Sequence, residues 1–131
     1  MVAILPSKPL QSQMNRALVG EFVGTFFLVG TIVVAHAMSL IPPLTIGMQL
    51  MTQVFAYGYI SGGMYNPAVT TAIHLIKYNR GERAVPLITD WIKYVLVQIT
   101  GGLSGAFVCW FIIGKDIARV AFPAPAPMTN S

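Results

Sequence analysis

The chain has 131 residues, of which 55% are hydrophobic and only 9% are charged. Soluble domains carry roughly 25% charged residues, so this composition is that of a one-domain membrane protein. The net charge of +4 is small, and the sequence has neither a basic patch interleaved with aromatic residues nor a glycine-rich phosphate loop, which argues against nucleic-acid binding. The single cysteine, Cys109, excludes an internal disulfide.

The N-terminal part of the chain predicts a tail followed by a first membrane-spanning helix. Residues 1–16 are mixed in character and predict a loose tail. Residues 17–38 predict a spanning helix, because Glu21 is the only formally charged side chain in this apolar segment. A cleaved signal peptide is the alternative, since residues 35–37 (Ala-His-Ala) resemble a peptidase site, although signal-peptide cores span only roughly 7–15 apolar residues.

Two further spanning helices are predicted after a short uncharged loop. Residues 44–60 follow Pro43 and predict a second helix, antiparallel to the first and adjacent to it. Residues 91–113 predict the third, with interfacial aromatic residues near its ends. Residues 115–131 contain a run of alternating prolines and predict a loop or tail, because proline removes backbone donors that a spanning helix needs.

The segment between the second and third predicted spans is too short to cross a bilayer. Gly62 and Gly63 permit a sharp turn. Asn66 is a preferred helix N-cap, and Pro67 suits the first helical position. The predicted helix, residues 66–76, is about 15 Å long, half of a roughly 30 Å hydrocarbon core. We interpret it as a re-entrant half-helix whose free N–H groups and positive dipole end face the bilayer centre.

The distribution of lysine and arginine predicts the orientation of the chain. One side of the membrane receives six of these residues, on the N-terminal tail and around the connection after the half-helix: Lys8, Arg16, Lys77, Arg80, Arg83 and Lys93. The other side receives two, both after Gly114. Because basic residues are enriched on the cytoplasmic side, we expect the N-terminus inside, the half-helix entering from the inside, and the C-terminus outside.

Glycines recur four residues apart near each predicted span. The pairs are Gly20 and Gly24, Gly58 and Gly62, and Gly101 and Gly105. Such faces let helix backbones approach closely in lipid, so we expect the three helices to pack tightly through them. The alternative is that glycine is simply frequent in membrane spans.

Three motifs occur in a fixed order over about residues 16–114. They are Glu21-x-x-Gly24-Thr25 in the first helix, Asn66-Pro67-Ala68 between Ser61-Gly62 and Val69-Thr70, and Gln98-x-x-Gly101 with Tyr94 in the third helix. This ordered set resembles the first half of the aquaporin, or major intrinsic protein, family. The resemblance implies an all-α integral membrane fold, with three transmembrane helices plus one re-entrant half-helix, which is half of an aquaporin fold.

The resemblance also implies roles for the residues of the half-helix and its loop. Asn66, with Pro67 and Ala68 beside it, would donate hydrogen bonds to a water or small neutral solute at the midplane. The backbone carbonyls before it would line the pore, those of Gly62, Gly63, Met64 and Tyr65. Glu21 resembles the family's buried carboxylate, which braces this loop together with Gln98. The alternative for Glu21 is a carboxylate near a helix N-terminus, where the helix dipole favours it.

The departures from the family pattern also bear on function. Ile46 stands where the family's constriction often has an aromatic residue or histidine, and Met64 replaces a frequent histidine. Both changes make the path more apolar, which fits either a pore for less polar solutes or a closed, dry one. The sequence has no second Asn-Pro-Ala, no inverted repeat and no filter arginine. A C-terminal half, a partner chain or an antiparallel copy would have to complete a pore, and the charge bias disfavours the last.

We therefore expect an aquaporin-like half-channel for passive transport of water or small neutral solutes, in a lipid bilayer and with other membrane protein chains as partners. The alternative is a poreless accessory subunit that uses the repeat as a packing module in a larger membrane complex. An enzyme is not expected, because Cys109, His36 and His74 lie on separate segments without a nucleophile–base pair or clustered metal ligands. No metal, cofactor or nucleic acid is expected.

Overall fold

The computed structural model describes residues 10–38, 41–82 and 84–114. These residues form four α-helices and no strand: α1 (Leu10–Ala37), α2 (Pro42–Ser61), α3 (Pro67–Asn79) and α4 (Ala84–Ile113). The all-helical class expected from the sequence is confirmed for this part of the chain. The predicted C-terminal loop of residues 115–131 and the first nine residues of the predicted tail lie outside the described residues.

Two helices begin earlier than their apolar segments predict. α1 begins at Leu10, so the predicted loose tail is wrong for residues 10–16. α4 begins at Ala84 rather than at residue 91, and α3 continues past Ile76 to Asn79. The added residues of α1 and α3 are mostly polar but include good helix formers such as glutamine, lysine and arginine, so these helices continue beyond their most apolar part. The residues that α4 adds, 84–90, are mostly apolar, so the sequence prediction placed this boundary too late.

Two of the helices are long and apolar enough to cross a membrane. They are residues Ser12–Ala37 of α1 and Leu87–Ile113 of α4, with mean hydropathies of 2.1 and 1.8. In the most apolar 18-residue stretch of each helix, only 28% and 22% is buried, whereas the core helix of a soluble protein would be mostly buried. α2 contains the residues predicted to span. It is less apolar than α1 and α4, because it carries polar side chains such as Gln49 and Gln53, and it is not among the helices apolar enough to cross by this measure.

α1 and α4 form the middle of the described bundle, and each packs against two other helices. α1 packs against both α2 and α4, and α3 packs against α4. The contact with α4 depends on two glycines, because a Cβ atom added at Gly101 would come within 2.6 Å of the Phe22 carbonyl oxygen. A Cβ atom added at Gly105 would likewise overlap the Phe26 carbonyl. The predicted small-residue contact is therefore present between α1 and α4, with backbone against backbone.

The pair Gly58 and Gly62 does not form a helix contact, so this prediction is wrong. A Cβ atom added at Gly58 would meet only Val54 of its own helix among the described residues. Gly62 ends α2 as its left-handed C-cap, with φ of 95°, and donates its N–H to the Gly58 carbonyl at 2.8 Å. Two glycines four residues apart can form a packing face, but the second of them can instead terminate the helix. Here Gly62 terminates α2.

Candidate functional site

The start of α3 has the geometry that the sequence predicts. Asn66 adopts an extended conformation, with φ of −154° and ψ of 124°, and its Oδ1 accepts a hydrogen bond from the Ala68 N–H at 2.8 Å. Pro67 occupies the first helical position, where no N–H is needed. The predicted N-cap is thus confirmed. α3 has 13 residues, about 20 Å at 1.5 Å per residue, and it is a separate short helix between α2 and α4.

The α2–α3 loop, residues 62–66, makes its turn through left-handed backbone conformations. Gly62 and Gly63 have φ of 95° and 65°, which glycine adopts without steric cost. Tyr65 has φ of 46° and is the one non-glycine residue with positive φ in the described segments. The Ser61 hydroxyl accepts from the Gly63 N–H at 3.1 Å, which closes the turn locally.

A buried carboxylate of α1 holds this loop. Glu21 has no exposed surface. Its Oε1 accepts from the Met64 N–H at 3.0 Å, and its Oε2 accepts from the Tyr65 N–H at 2.6 Å. Oε2 also accepts from Nε2 of Gln98 at 2.9 Å. Burial of a carboxylate is costly unless it is hydrogen-bonded, and these three donors meet that requirement.

The direction of these hydrogen bonds fixes the direction of the carbonyl groups in the loop. The described chain contains no cis peptide bond, and a trans peptide points its N–H and C=O in opposite directions. Because the Met64 and Tyr65 N–H groups point at Glu21, the carbonyls of Gly63 and Met64 point away from α1. Gly62 is exposed, and Gly63 and Met64 are half-buried. The loop therefore has one face of donors, which is satisfied, and an opposite face of acceptors.

Gln98 and Thr70 extend the polar cluster from α1 to α4 and α3. Both side chains are buried, with 1% and 0% exposure. Nε2 of Gln98 faces Glu21, since a carboxylate only accepts, and it also lies 2.7 Å from the Thr70 hydroxyl. That hydroxyl lies 3.0 Å from the Asn66 carbonyl oxygen. Three helices thus meet at one buried hydrogen-bond network directly behind the N-cap of α3.

Two tyrosine hydroxyls attach the loop region to neighbouring backbone. The Tyr65 hydroxyl donates to the Gln53 carbonyl at 2.9 Å, and the Tyr94 hydroxyl donates to the Ser61 carbonyl at 2.9 Å. The Tyr65 ring lies against Gly24, where an added Cβ atom would overlap it. The Tyr65 contacts depend on where α1 and α2 lie relative to the loop, so local sequence patterns do not predict them. The Gly24 position in the first motif was the one available signal.

The predicted site residues fall into two groups. Asn66 and Ala68 are exposed, and the Asn66 side-chain nitrogen has no acceptor among the residues that the structure describes. Because Oδ1 is held in the cap, the free amide hydrogens point outward as donors. Ile46 is half-buried and lies near the start of α2, about 23 Å along the helix from Ser61. Ile46 is therefore remote from the α2–α3 loop and from Glu21, which binds that loop.

The sequence profile of the family described as "Major intrinsic protein" matches residues 8–131. The chain belongs to the major intrinsic protein family. Proteins of this family are integral membrane proteins, and this chain is therefore one. Within the described segments, no group of three or more His, Cys, Asp or Glu residues is placed to hold a metal ion.

Curated members of the family are similar to this chain. It is 39% identical over 92 residues to "Glycerol uptake facilitator protein-like 6" of Lactiplantibacillus plantarum, covering 67% of this chain and 39% of that protein. It is 33% identical over 114 residues to "Aquaporin Z" of Photorhabdus laumondii, covering 79% and 46%. It is 27% identical over 143 aligned positions to "Aquaporin AqpM" of Methanothermobacter thermautotrophicus, covering 87% and 55%. The chain thus spans about half the length of these relatives. No solved structure matches it.

The three residues considered as catalytic candidates lie on three different helices and contact different backbone groups. His36 is exposed near the end of α1, with Nδ1 2.7 Å from the Ile32 carbonyl oxygen. His74 is buried on α3, with Nδ1 2.8 Å from the Thr70 carbonyl oxygen. Cys109 is buried on α4, and its thiol lies 3.6 Å from the Gly30 carbonyl oxygen. Each contacts backbone of its own helix or of a packed helix, and the three form no common site.

Proposed function

We propose that this chain forms one half of a membrane channel that conducts water or small neutral solutes passively. The observation that carries the proposal is the arrangement at the start of α3. Glu21 holds the donor face of the α2–α3 loop, which leaves the carbonyls of Gly63 and Met64 on the opposite face. The exposed amide of Asn66 follows directly in the chain. A row of acceptors that ends in a donor suits a file of water molecules or hydroxyl-bearing solutes.

The proposed layout in the membrane has three crossings and one re-entrant helix. α1 and α4 are long enough for a roughly 30 Å core, and α2 has 20 residues, which is the usual length of a crossing. α3 is about 20 Å long, too short to cross. We place its N-terminus near the midplane, entering from the inside, with the N-terminus of the chain inside and the C-terminus outside. The lysine and arginine distribution supports this orientation.

A pore requires a second wall opposite Asn66. The large exposed side chains of α2 and α4 include Phe55, Tyr59, Leu103 and Phe111, which suit contact with lipid or with another membrane chain. The second wall would come from further sequence or from a partner chain, and it would bring its own half-helix to face α3. The two positive dipole ends would then meet at the midplane and disfavour cations.

Permeability of reconstituted protein tests the proposal. The full chain, purified with any membrane protein that accompanies it, is placed in liposomes, and osmotic shrinkage in sorbitol and swelling in glycerol are followed by light scattering. We expect water or glycerol flux well above that of empty liposomes. Asn66→Asp retains the cap acceptor and removes the amide donors, so it should lower the flux about tenfold. Asn79→Asp makes the same chemical change at the far end of α3 and should not.

A poreless accessory subunit is the second candidate. The half-buried side chains of Ile46 and Met64 favour it, because both place apolar groups where the family often has polar or aromatic ones. In this case the hydrogen-bond network around Glu21 would serve only to hold the fold. The same liposomes decide between the two, since flux equal to that of empty liposomes contradicts the channel and favours the subunit.

A further inference from the structure

We propose that Tyr65 is a positioning residue that sets where Asn66 stands relative to α1 and α2. This inference rests on the proposed function, because the consequence of a misplaced Asn66 is a change in what passes it. Tyr65 is the residue immediately before the N-cap, so any change in its backbone conformation moves Asn66 directly. Its side chain and its backbone are both held by other helices.

Three contacts from two helices hold Tyr65. Its N–H donates to Glu21 of α1 at 2.6 Å. Its ring fills the space above Gly24 of α1, which a Cβ atom would occupy. Its hydroxyl donates to the Gln53 carbonyl of α2 at 2.9 Å. Only 2% of the residue is exposed, so these contacts are not shared with solvent. The loop is thereby attached to α1 and α2 at the same residue.

The backbone of Tyr65 supports a role beyond filling space. Its φ of 46° is in the left-handed region, which a residue with a Cβ atom adopts only at a cost. Such a conformation persists when surrounding contacts over-determine it, and the three contacts above do so. Loss of one contact would let φ relax toward its ordinary range. Because rotation about this bond reorients everything that follows, the first residue displaced would be Asn66.

A tyrosine that only fills space makes a different prediction. Phenylalanine has the same ring, so Tyr65→Phe would then be silent. If the hydroxyl positions the loop, Tyr65→Phe releases the tie to α2 and leaves the ring contact with Gly24 in place. The matched control is Tyr59→Phe on α2, where the side chain is 85% exposed.

Two measurements on the full chain in lipid nanodiscs and liposomes test this inference. The first is hydrogen exchange at the amides of Met64, Tyr65 and Ala68, which donate to Glu21 and Asn66. Loss of one buried hydrogen bond should speed their exchange about fivefold in Tyr65→Phe. The second is the ratio of glycerol to water permeability, which we expect to change about twofold or more. Tyr59→Phe should change neither value.

The ring contact is tested separately by a double-variant cycle. Gly24→Ala should displace the ring and speed exchange at the same amides. In a Tyr65→Ala background the ring is absent, so Gly24→Ala should have no further effect. Additive effects of the two substitutions would contradict the contact between them. The cycle needs no conduction, so it remains decisive if a variant is closed.

The outcomes separate this inference from the proposed function. Wild-type flux equal to that of lipid overturns the channel and the positioning role that rests on it, while the exchange rates still decide whether the Tyr65 hydroxyl holds the loop. A conducting wild type with a Tyr65→Phe variant that matches it in exchange and in permeability ratio overturns the positioning role. Faster exchange with an unchanged permeability ratio also overturns it, since the residue would then be merely structural.

Discussion

Oε2 of Glu21 accepts the backbone N–H of Tyr65 at 2.6 Å, across 44 positions of sequence. The bond joins a side chain in α1 to a loop residue in a left-handed conformation. It orients the peptide before Tyr65, and with it the carbonyl of Met64. One buried side chain on α1 thus determines which way the carbonyls of the half-buried Gly63 and Met64 face. The stability of the loop and its chemistry therefore depend on the same group.

Glu21→Gln should destabilise the protein strongly. One of the two carboxylate oxygens becomes an amide NH₂, which cannot accept from Met64, Tyr65 or Gln98, so at least one buried donor loses its partner. We expect a loss of about 3 kcal/mol. The measurement is the thermal midpoint of unfolding in detergent. Unfolding is monitored by the reaction of Cys109, which is buried in the folded protein, with a thiol dye. Glu82→Gln, on an exposed residue, is the control and should change the midpoint little.

Gln53→Leu should leave stability unchanged or raise it. The Gln53 side chain is 3% exposed, and neither its Oε1 nor its Nε2 has a hydrogen-bond partner among the described residues. Burial of an unpaired amide costs about 1–3 kcal/mol, which an apolar side chain avoids. The backbone carbonyl that accepts from Tyr65 is retained in the variant. Gln49→Leu, on a half-buried residue of the same helix, is the comparison. A lower midpoint for Gln53→Leu than for Gln49→Leu would contradict this prediction.

Replacement of glycine by alanine should lower the stability of the protein at Gly105 and raise it at Gly47. Gly105→Ala puts a Cβ atom onto the Phe26 carbonyl, so α1 and α4 must move apart, at a cost of about 1–3 kcal/mol. Gly47 lies inside α2 with nothing within 4 Å of an added Cβ atom. Gly47→Ala should therefore gain about 0.5–1 kcal/mol from helix propensity. Thermal midpoints of the two variants, measured in one detergent, should move in opposite directions.

The sequence predicted those parts of the fold that depend on local chemistry. The N-cap at Asn66 followed from the preference of asparagine and proline for these positions, and the contact at Gly101 and Gly105 followed from their spacing. The start of α1 at Leu10 was missed, because hydropathy does not mark helix ends. The left-handed Tyr65 was also missed, since nothing local favours φ of 46° for tyrosine. That conformation comes from contacts with Glu21, Gly24 and Gln53, which only the folded chain brings together.

Thr70→Val should weaken the link between α3 and α4 without a change in volume. Valine replaces the hydroxyl by a methyl group, so Nε2 of Gln98 loses the acceptor at 2.7 Å and retains only Glu21. The Asn66 carbonyl still accepts from the Thr70 backbone N–H, so the first turn of α3 is kept. We expect a loss of about 1–2 kcal/mol, as for one buried hydrogen bond with its donor left unpaired.

Thr52→Val on α2 provides the control for this substitution. Thr52 is exposed, and its hydroxyl donates only to the Met48 carbonyl of its own helix, which also serves the helix ladder. Its loss should therefore be nearly neutral in the thermal midpoint. If Thr70→Val is equally neutral, the network behind Asn66 does not couple α3 to α4. The orientation of α3 would then rest on other contacts, such as the bond from Trp91 to Thr71 at 2.9 Å.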